Sequence, residues 1–323
     1  MEEPLSVPET AEAVRRVVDN VELVISGGGD AVRSAVLCLV SEGNLLLEGV
    51  PGVGKTMLAR AVARSIGGTF SRVQATPDLL PSDLTGVSVY DQGSHEFTFV
   101  PGPIFANVVL VDEINRTTPR TQSALLEPME ERQATVEGVT HLLPRPFFLV
   151  ATENPIEHHG TYPLPEGQLD RFNMAVRVGY PEGDSARDVV TRQLRSHPIH
   201  DLEPVLRPED VLRHQRAVRS VHVDPSVVDY ALMLVEATRS HPEVSLGASP
   251  RAAVALTHGA QALAAASGRD FVLPDDLKRL APDVLAHRLL VRSRPRSGSE
   301  VGREVVTELL EQLPVPLRVA GRG

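Results

Sequence analysis

The sequence predicts an α/β core of αβα type with a largely parallel sheet over about residues 1–182, followed by an all-α domain over about 183–323. Three observations carry this. Apolar runs of strand type recur at Leu45–Leu47, Val108–Val111, Phe147–Thr152 and Ala175–Val178, with helical periodicity between them. From Gly183 onward only helical periodicity remains. The first apolar run leads directly into a glycine-rich turn and a helix, the order found in parallel α/β units.

Taken in chain order, residues 10–24 carry a helical apolar pattern that ends at Ser26-Gly27-Gly28-Gly29-Asp30. A second helix is expected from Ala31, with Asp30 as its N-cap, because a short carboxylate can accept from the exposed N–H groups of a first turn. Strand Asn44–Glu48, helix Thr56–Ile66 and strand Phe70–Gln74 follow. Val87–Phe99 alternates around Asp91-Gln92-Gly93-Ser94, which predicts an inserted hairpin near 87–104. The strongest buried-strand signal, Val108-Val109-Leu110-Val111, ends in Asp112-Glu113. Pro119 opens a helix through about Arg132, and 134–143 reads as a second hairpin with Gly138 in its turn. Further helices are expected around Ala186–Leu194, Pro208–Val218, Pro225–Ala237, Pro250–Ala265, Pro274–Leu285 and Arg303–Leu313. The basic stretch Arg292–Ser299 reads as a solvated loop, with an anion-docking site as the alternative.

Composition narrows the function. The net charge of −10 argues against nucleic acid or an anionic membrane as the main partner. No apolar run approaches the roughly 20 residues of a membrane span, and Met1-Glu2-Glu3-Pro4 lacks a signal pattern. One cysteine, Cys38 in an apolar stretch, allows no intrachain disulfide and fits a reducing cytoplasm as a small core residue. A cytoplasmic protein without stable membrane insertion is therefore expected.

The chain uses thirty arginines and two lysines, and one of those lysines is Lys55 in Gly49-Val50-Pro51-Gly52-Val53-Gly54-Lys55-Thr56. This is a P-loop in its required context, between a strand and a helix. Gly52 and Gly54 permit the tight turn that aims backbone N–H groups at a phosphate, and the helix N-terminus adds partial positive charge. Lys55 would reach the β and γ phosphates, and the Thr56 hydroxyl would ligate Mg²⁺. Such a loop alone admits kinases, GTPases, transporters and motors. The strand ending in Asp112-Glu113 narrows the choice, because it supplies one carboxylate to hold Mg²⁺ through its water shell and another suited to polarising water. Asn154, in Ala151-Thr152-Glu153-Asn154-Pro155, would present an uncharged amide beside the γ-phosphate. Asn-Pro also reads as a turn initiator.

The segments Leu47–Thr56, Val111-Asp112-Glu113-Ile114-Asn115-Arg116, Thr121–Glu127 with Met129-Glu130-Glu131-Arg132-Gln133, and Gly160–Glu166 through Leu169-Asp170-Arg171-Phe172 closely resemble the MoxR family of AAA+ ATPases. The resemblance spans about residues 10–320 and is looser in the helical part. It implies a nucleotide-binding core with a helical lid, assembling as a homo-oligomeric ring, commonly a hexamer, with ATP and Mg²⁺ at subunit interfaces. Gly49, Pro51, Gly52, Val53, Gly54, Lys55, Thr56 and Met57 then look like the nucleotide cradle, with Lys55 and Thr56 as Walker A. Asp112 and Glu113 look like Walker B, Thr56 and Asp112 being the metal-side residues. Asn154 looks like sensor 1, Arg171 like the arginine finger offered to a neighbour's ATP, and Arg251 in Gly247-Ala248-Ser249-Pro250-Arg251 like sensor 2. The two hairpins resemble the helix-2 and pre-sensor-1 inserts of the family's clade. Arg251 lies at a helix start, where a cation opposes the dipole, so an anion should be near it.

The implied activity is ATP-driven remodelling or maturation of partner proteins, chaperone-like and including metal-cofactor insertion, beside a separate adaptor with a von Willebrand factor A domain. Three departures stand out: Glu153 where many relatives have Gln, Asn44 where many have His, and Pro128 interrupting a helix. Glu157, His158 and His159 invite a metal reading that only a loop would permit. A nucleic-acid motor is one rival, yet Val87–Phe99 has no Lys or Arg and includes Asp91 and Glu96. A GTPase is the second rival, and the sequence has no Asn-Lys-x-Asp run to read guanine. A nucleotide-gated scaffold with little hydrolysis is the third.

Overall fold

The computed structural model describes residues 5–93, 95–154, 161–181, 183–193, 198–292 and 298–315. Among these described residues nine strands lie in the first half: β1 (Leu45–Glu48), β2 (Phe70–Gln74), β3 (Gly86–Asp91), β4 (Glu96–Pro101), β5 (Val108–Asp112), β6 (Gln133–Val136), β7 (Val139–Leu142), β8 (Phe148–Glu153) and β9 (Met174–Arg177). Five of them form one parallel sheet in the order β2-β5-β8-β1-β9. Alternate residues divide cleanly between its faces. Leu45, Leu47, Val108, Leu110, Phe148 and Val150 join one apolar cluster, while Leu46, Val109, Val111, Leu149 and Ala151 join the other. Both faces being covered explains why these strands read as continuous apolar runs.

The helices of this half are α1 (Val7–Glu22), α2 (Gly29–Val40), α3 (Lys55–Ser65), α4 (Pro81–Thr85), α5 (Pro119–Ser123), α6 (Leu126–Glu131) and α7 (Glu166–Leu169). Helix α1 starts earlier than its apolar pattern, at a capping box in which the Ser6 N–H donates to Glu9 and the Glu9 N–H to Ser6 Oγ. Asp30 is not the cap of α2. That place falls to Gly28, without a side-chain hydrogen bond, because the glycine run lets the backbone enter the helix early. Asp30 keeps the favourable first-turn position for an acid.

The helix expected from Pro119 to Arg132 is two helices, α5 and α6, broken at Ala124-Leu125. Pro128 therefore sits in the first turn of α6, where its missing N–H would have had no intrahelical partner. The two hairpins form as β3–β4 and β6–β7, and Gly138 takes a positive φ of 81° in the second turn. Phe99 of the first stacks on His141 of the second, ring centroids 3.8 Å apart.

The second half holds α8 (Asp184–Gln193), α9 (Pro208–Arg219), α10 (Pro225–Ser240), α11 (Pro250–Ala266), α12 (Pro274–Leu285) and α13 (Gly298–Gln312). A two-stranded antiparallel ribbon, β10 (Val244–Leu246) with β11 (Leu290–Val291), was not anticipated, because runs of two or three residues carry no readable period. Residues 293–297 of the basic stretch, and the trio Glu157, His158 and His159, lie outside the described residues. Among the described residues no helix is long and apolar enough to cross a membrane. Helices α1 and α2 pack against α9 and α11 as well as α3, so one apolar cluster runs from the sheet into the helical half.

Arg288 fastens that junction. Its side chain is 2% exposed, pairs with Asp170 at 2.9 Å, and donates to the carbonyls of Phe172 (2.7 Å), Asp170 (3.2 Å), Asn173 (3.4 Å) and Val284. Burial pulls its guanidinium down to about 10 against the pull of Asp170, yet it stays charged near neutrality. Replacing it by Met would leave buried carbonyls and a carboxylate without their donor. Arg288→Met is therefore expected to lower stability by about 3 kcal/mol; a urea midpoint unchanged from wild type would contradict this role.

Candidate functional site

The P-loop turns as the sequence implies. Gly54 adopts φ +92° as the cap of α3, a backbone that L side chains rarely take, and Lys55 and Thr56 follow as the first helical residues. A cavity of about 460 Å³ opens on this loop, with Pro51, Gly52, Val53, Gly54, Lys55, Thr56 and Met57 in its wall. Gly49 does not line it, but its carbonyl accepts from Lys55 Nζ at 2.5 Å, and the Glu153 carbonyl accepts at 3.2 Å. Burial pulls the Lys55 ammonium below its ordinary range, and Asp112, Glu113 and Glu153 pull it back up.

The opposite wall was not read from the sequence as part of a site. Val24, Ile25, Gly27 and Gly28, from the α1–α2 loop, line the cavity together with Val189 of α8 and Pro198. Gly27, at φ +80°, lets this loop approach α8 so closely that a Cβ there would lie 2.8 Å from Ser185 Cβ. The glycine run carried this signal, since a positive φ and a close approach are reasons for glycine beyond breaking a helix.

Asp112 lies at the end of β5, beside Thr152 of β8. Thr152 Oγ1 donates to Asp112 Oδ1 at 2.6 Å and accepts from the Glu113 N–H at 2.8 Å. On the other oxygen, Asp112 Oδ2 accepts from Arg72 (Nη2 2.6 Å, Nε 3.2 Å) and from Thr56 Oγ1 at 3.3 Å. Burial works against its charge, but hydrogen bonds from Thr152, Arg72 and Thr56 hold the carboxyl below the usual carboxylate range. Glu113 takes the left-handed backbone, φ +58°, which costs about 1–3 kcal/mol outside glycine. Its carboxylate receives Gln74 Nε2 at 3.0 Å and Arg116 Nη1 at 3.1 Å.

The remaining three expected residues lie elsewhere. Asn154 follows the end of β8 and is 4% exposed, and its carbonyl accepts from Asn115 at 3.5 Å. It does not line the cavity; neither do Arg171 and Arg251. Arg171, after α7, and Arg251, in the first turn of α11, converge on one carboxylate, Glu130 of α6. Arg171 Nε lies 2.8 Å from Glu130 Oε1, and Arg251 Nη1 bonds the same oxygen. Glu130 is the anion that a cation at the start of α11 calls for. The segment around Arg171 is anchored on both sides. Asp170 accepts from Ser249 Oγ at 2.8 Å, Asn44 Nδ2 donates to the Arg171 carbonyl at 3.3 Å, and Phe172 is fully buried.

Comparison with known proteins bears on this geometry. A model of the family described as "ATPase family associated with various cellular activities (AAA)" matches residues 44–174, and one described as "AAA lid domain" matches residues 236–309. The chain is 48% identical to the uncharacterised Bacillus subtilis protein YeaC, over 94% of this chain and 95% of that one. It is 41% identical to the Mycobacterium tuberculosis protein "Chaperone MoxR1", over 94% of this chain and 82% of the other. The chain belongs to the MoxR family of AAA+ ATPases. A crystal structure from Cytophaga hutchinsonii, 34% identical, superposes with a TM-score of 0.87 over 96% of this chain and 97% of its own. The αβα core with its helical lid is thus the fold of this MoxR-family member.

Thr152, Arg72, Gln74 and Glu130 were not singled out in the sequence, although Glu130 sits in a quoted family segment. A hydroxyl ending an apolar strand beside Asp112 is the signal that would have marked Thr152. Thr152→Val keeps the shape and removes both hydrogen bonds. Affinity for the Mg²⁺–nucleotide complex is expected to fall about tenfold or more, from two lost bonds to charged or strained groups; titration with a fluorescent ATP analogue would show it, and unchanged affinity would remove Thr152 from the site.

Glu153, half-buried, is pushed up to about 7, first by burial and then by Glu48, with Lys55 opposing. A carboxyl raised from 4.5 in this way binds more protons folded than unfolded, so stability falls as pH rises from about 4.5 to about 7 and stays lower above. Glu153→Gln should flatten that slope and add up to about 3 kcal/mol at pH 8. Urea denaturation at several pH values reads this, and the same slope in the variant would mean another group titrates.

Proposed function

We propose that this MoxR-family protein is a Mg²⁺-dependent ATPase that works as a homo-oligomeric ring, commonly a hexamer in this family. Its hydrolysis would drive remodelling or maturation of partner proteins in the cytoplasm, including insertion of metal cofactors, beside a separate von Willebrand factor A adaptor. The ATPase core would be residues 1–182, with the inserts near 87–104 and 134–143, and the lid residues 183–323. One observation carries the ATPase reading: Lys55, Thr56, Asp112 and Glu113 meet at a single cavity, while Arg171 and Arg251 stand together away from it. The relative named as a chaperone supports a protein client.

The residues fit a divalent ion. Thr56 Oγ1 and Asp112 Oδ2 are hard oxygen donors 3.3 Å apart at the start of α3. Mg²⁺, when bound there, supplies positive charge to the β and γ phosphate oxygens. Arg72, already on Asp112, has to make room for it. Lys55 exchanges the Gly49 and Glu153 carbonyls for phosphate oxygens, whose negative charge compensates an ammonium that burial disfavours. Glu113 accepts the proton of the attacking water once its carboxylate leaves Gln74 and Arg116, and Asn154, outside the cavity wall at the end of β8, would have to turn toward it to orient that water. Arg171 and Arg251 neutralise charge on a neighbour's phosphate, because neither faces the cavity of its own chain.

Glu113→Gln is expected to keep ATP binding and lower kcat by roughly 10² or more. Arg171→Ala should also lower turnover, and mixtures of the two variants should recover activity where an intact Glu113 meets an intact Arg171 across an interface. Steady-state ATPase rate per subunit, measured against protein concentration, should rise steeply. A flat rate with no recovery in mixtures would overturn the trans assignment.

A further inference from the structure

Two guanidinium groups from different parts of the fold meet on one oxygen of Glu130. Arg171 comes from the core segment after α7, and Arg251 from the lid at the start of α11. Like charges held this close need an anion between them. The Arg171 guanidinium has a second contact, Nη1 donating to the Gly167 carbonyl at 2.5 Å, and the backbone N–H of Arg251 is capped by Ser249 Oγ, which fixes the start of α11.

This cluster contrasts with the junction a few residues away. Arg288 is buried and held by several carbonyls, so parting it from Asp170 would strand a buried charge. The side chains of Glu130, Arg171 and Arg251 are 30%, 24% and 42% exposed. Partly exposed ion pairs are weak, and a carboxylate released from one returns to water at little cost. A phosphate carries more charge and more acceptor oxygens than a carboxylate, and guanidinium groups bind it in a bidentate manner. Burial works against the Glu130 charge, yet the Arg251 hydrogen bond and the charges of Arg251 and Arg171 keep its carboxyl below the usual range. The site thus has the composition of a two-pronged anion clamp that already holds an anion.

We propose that Glu130 is an exchangeable internal counterion: its carboxylate fills the Arg171–Arg251 clamp in the separate subunit and is replaced there by the terminal phosphate of a nucleoside triphosphate on the adjoining subunit. Glu130 is a positioning residue. It keeps the two arginines side by side and aligns lid with core, and it sets a threshold for assembly, because each interface forms only by displacing it. The exchange breaks no covalent bond. This inference rests on the reading of Arg171 as acting across an interface.

Glu130→Gln preserves the shape and removes the charge. The protein concentration giving half-maximal ATPase rate per subunit is expected to fall about three- to tenfold, the range of two exposed ion pairs. In dilute, nucleotide-free protein, inorganic phosphate should bind the Glu130→Gln variant measurably more tightly than wild type by calorimetry, and adding Arg251→Ala should abolish the gain. Glu130→Asp, with a carboxylate too short to serve both arginines, should lie between wild type and Gln, and decides the matter if the Gln variant does not fold. A brace without exchange would give the opposite result, a higher half-maximal concentration and no gain in phosphate binding, and would overturn the proposal. Arg171→Ala separates the two ideas. If that variant loses turnover while Glu130→Gln leaves assembly unchanged, only the counterion role fails. If Arg171→Ala keeps full turnover, the trans reading fails with it.

Discussion

The Asp112 carboxylate is the point on which the site depends. One oxygen takes the Thr152 hydroxyl, which also carries the Glu113 N–H and so holds Glu113 in its left-handed backbone. The other takes Arg72 from β2 and Thr56 from the P-loop helix. Two strand neighbours and a helix start are therefore tied to one half-shielded charge. Such a charge is tolerated in a partly buried place because both of its oxygens have donors. The sheet order makes this possible: β8 lies between β1 and β5, so the strand carrying Thr152 separates the P-loop from the acids and bridges them.

Around this hub the charged groups fall into two mechanical kinds. Arg288, deep in the junction, joins the lid to the segment carrying Asp170 and Arg171 through bonds that water cannot easily replace. Arg72 on Asp112 and Glu130 on its two arginines are partly open to solvent, while Lys55 on backbone carbonyls is buried, and under the proposed function each occupies a position that a component of a bound Mg²⁺–nucleotide complex would claim. Within the chain these charged groups satisfy one another. Under the proposed function, binding is then an exchange of partners rather than the filling of bare charged sites, which would keep the desolvation cost on each side small.

Much of the fold was legible because buried parallel strands announce themselves. Val108–Val111 and Phe148–Ala151 are apolar on both faces, and both faces are indeed covered. Pro128 was legible as an interruption but not as a first-turn residue, because that depends on where the preceding helix breaks. The N-cap of α2 was misread for a related reason: three glycines permit several entries into a helix, and the one taken has Gly28 as cap, two residues before Asp30. The ribbon of β10 and β11 was invisible, since its strands are 44 residues apart and too short to show a period.

The amino-acid sequence alone determined the phosphate loop, the acidic strand end, the αβα layering and the membership in the MoxR family, because each resides in contiguous residues whose local chemistry needs no distant partner. Tertiary structure decided which groups meet. That Thr152 joins Asp112 to Glu113, that the glycine run walls the cavity, and that Arg251 stands beside Arg171 on Glu130 rather than at its own P-loop are all contacts between residues far apart in the chain. Hydrogen bonds and ion pairs act over about 3 Å, and the partners at that range are set by strand order and lid docking, which no local pattern records.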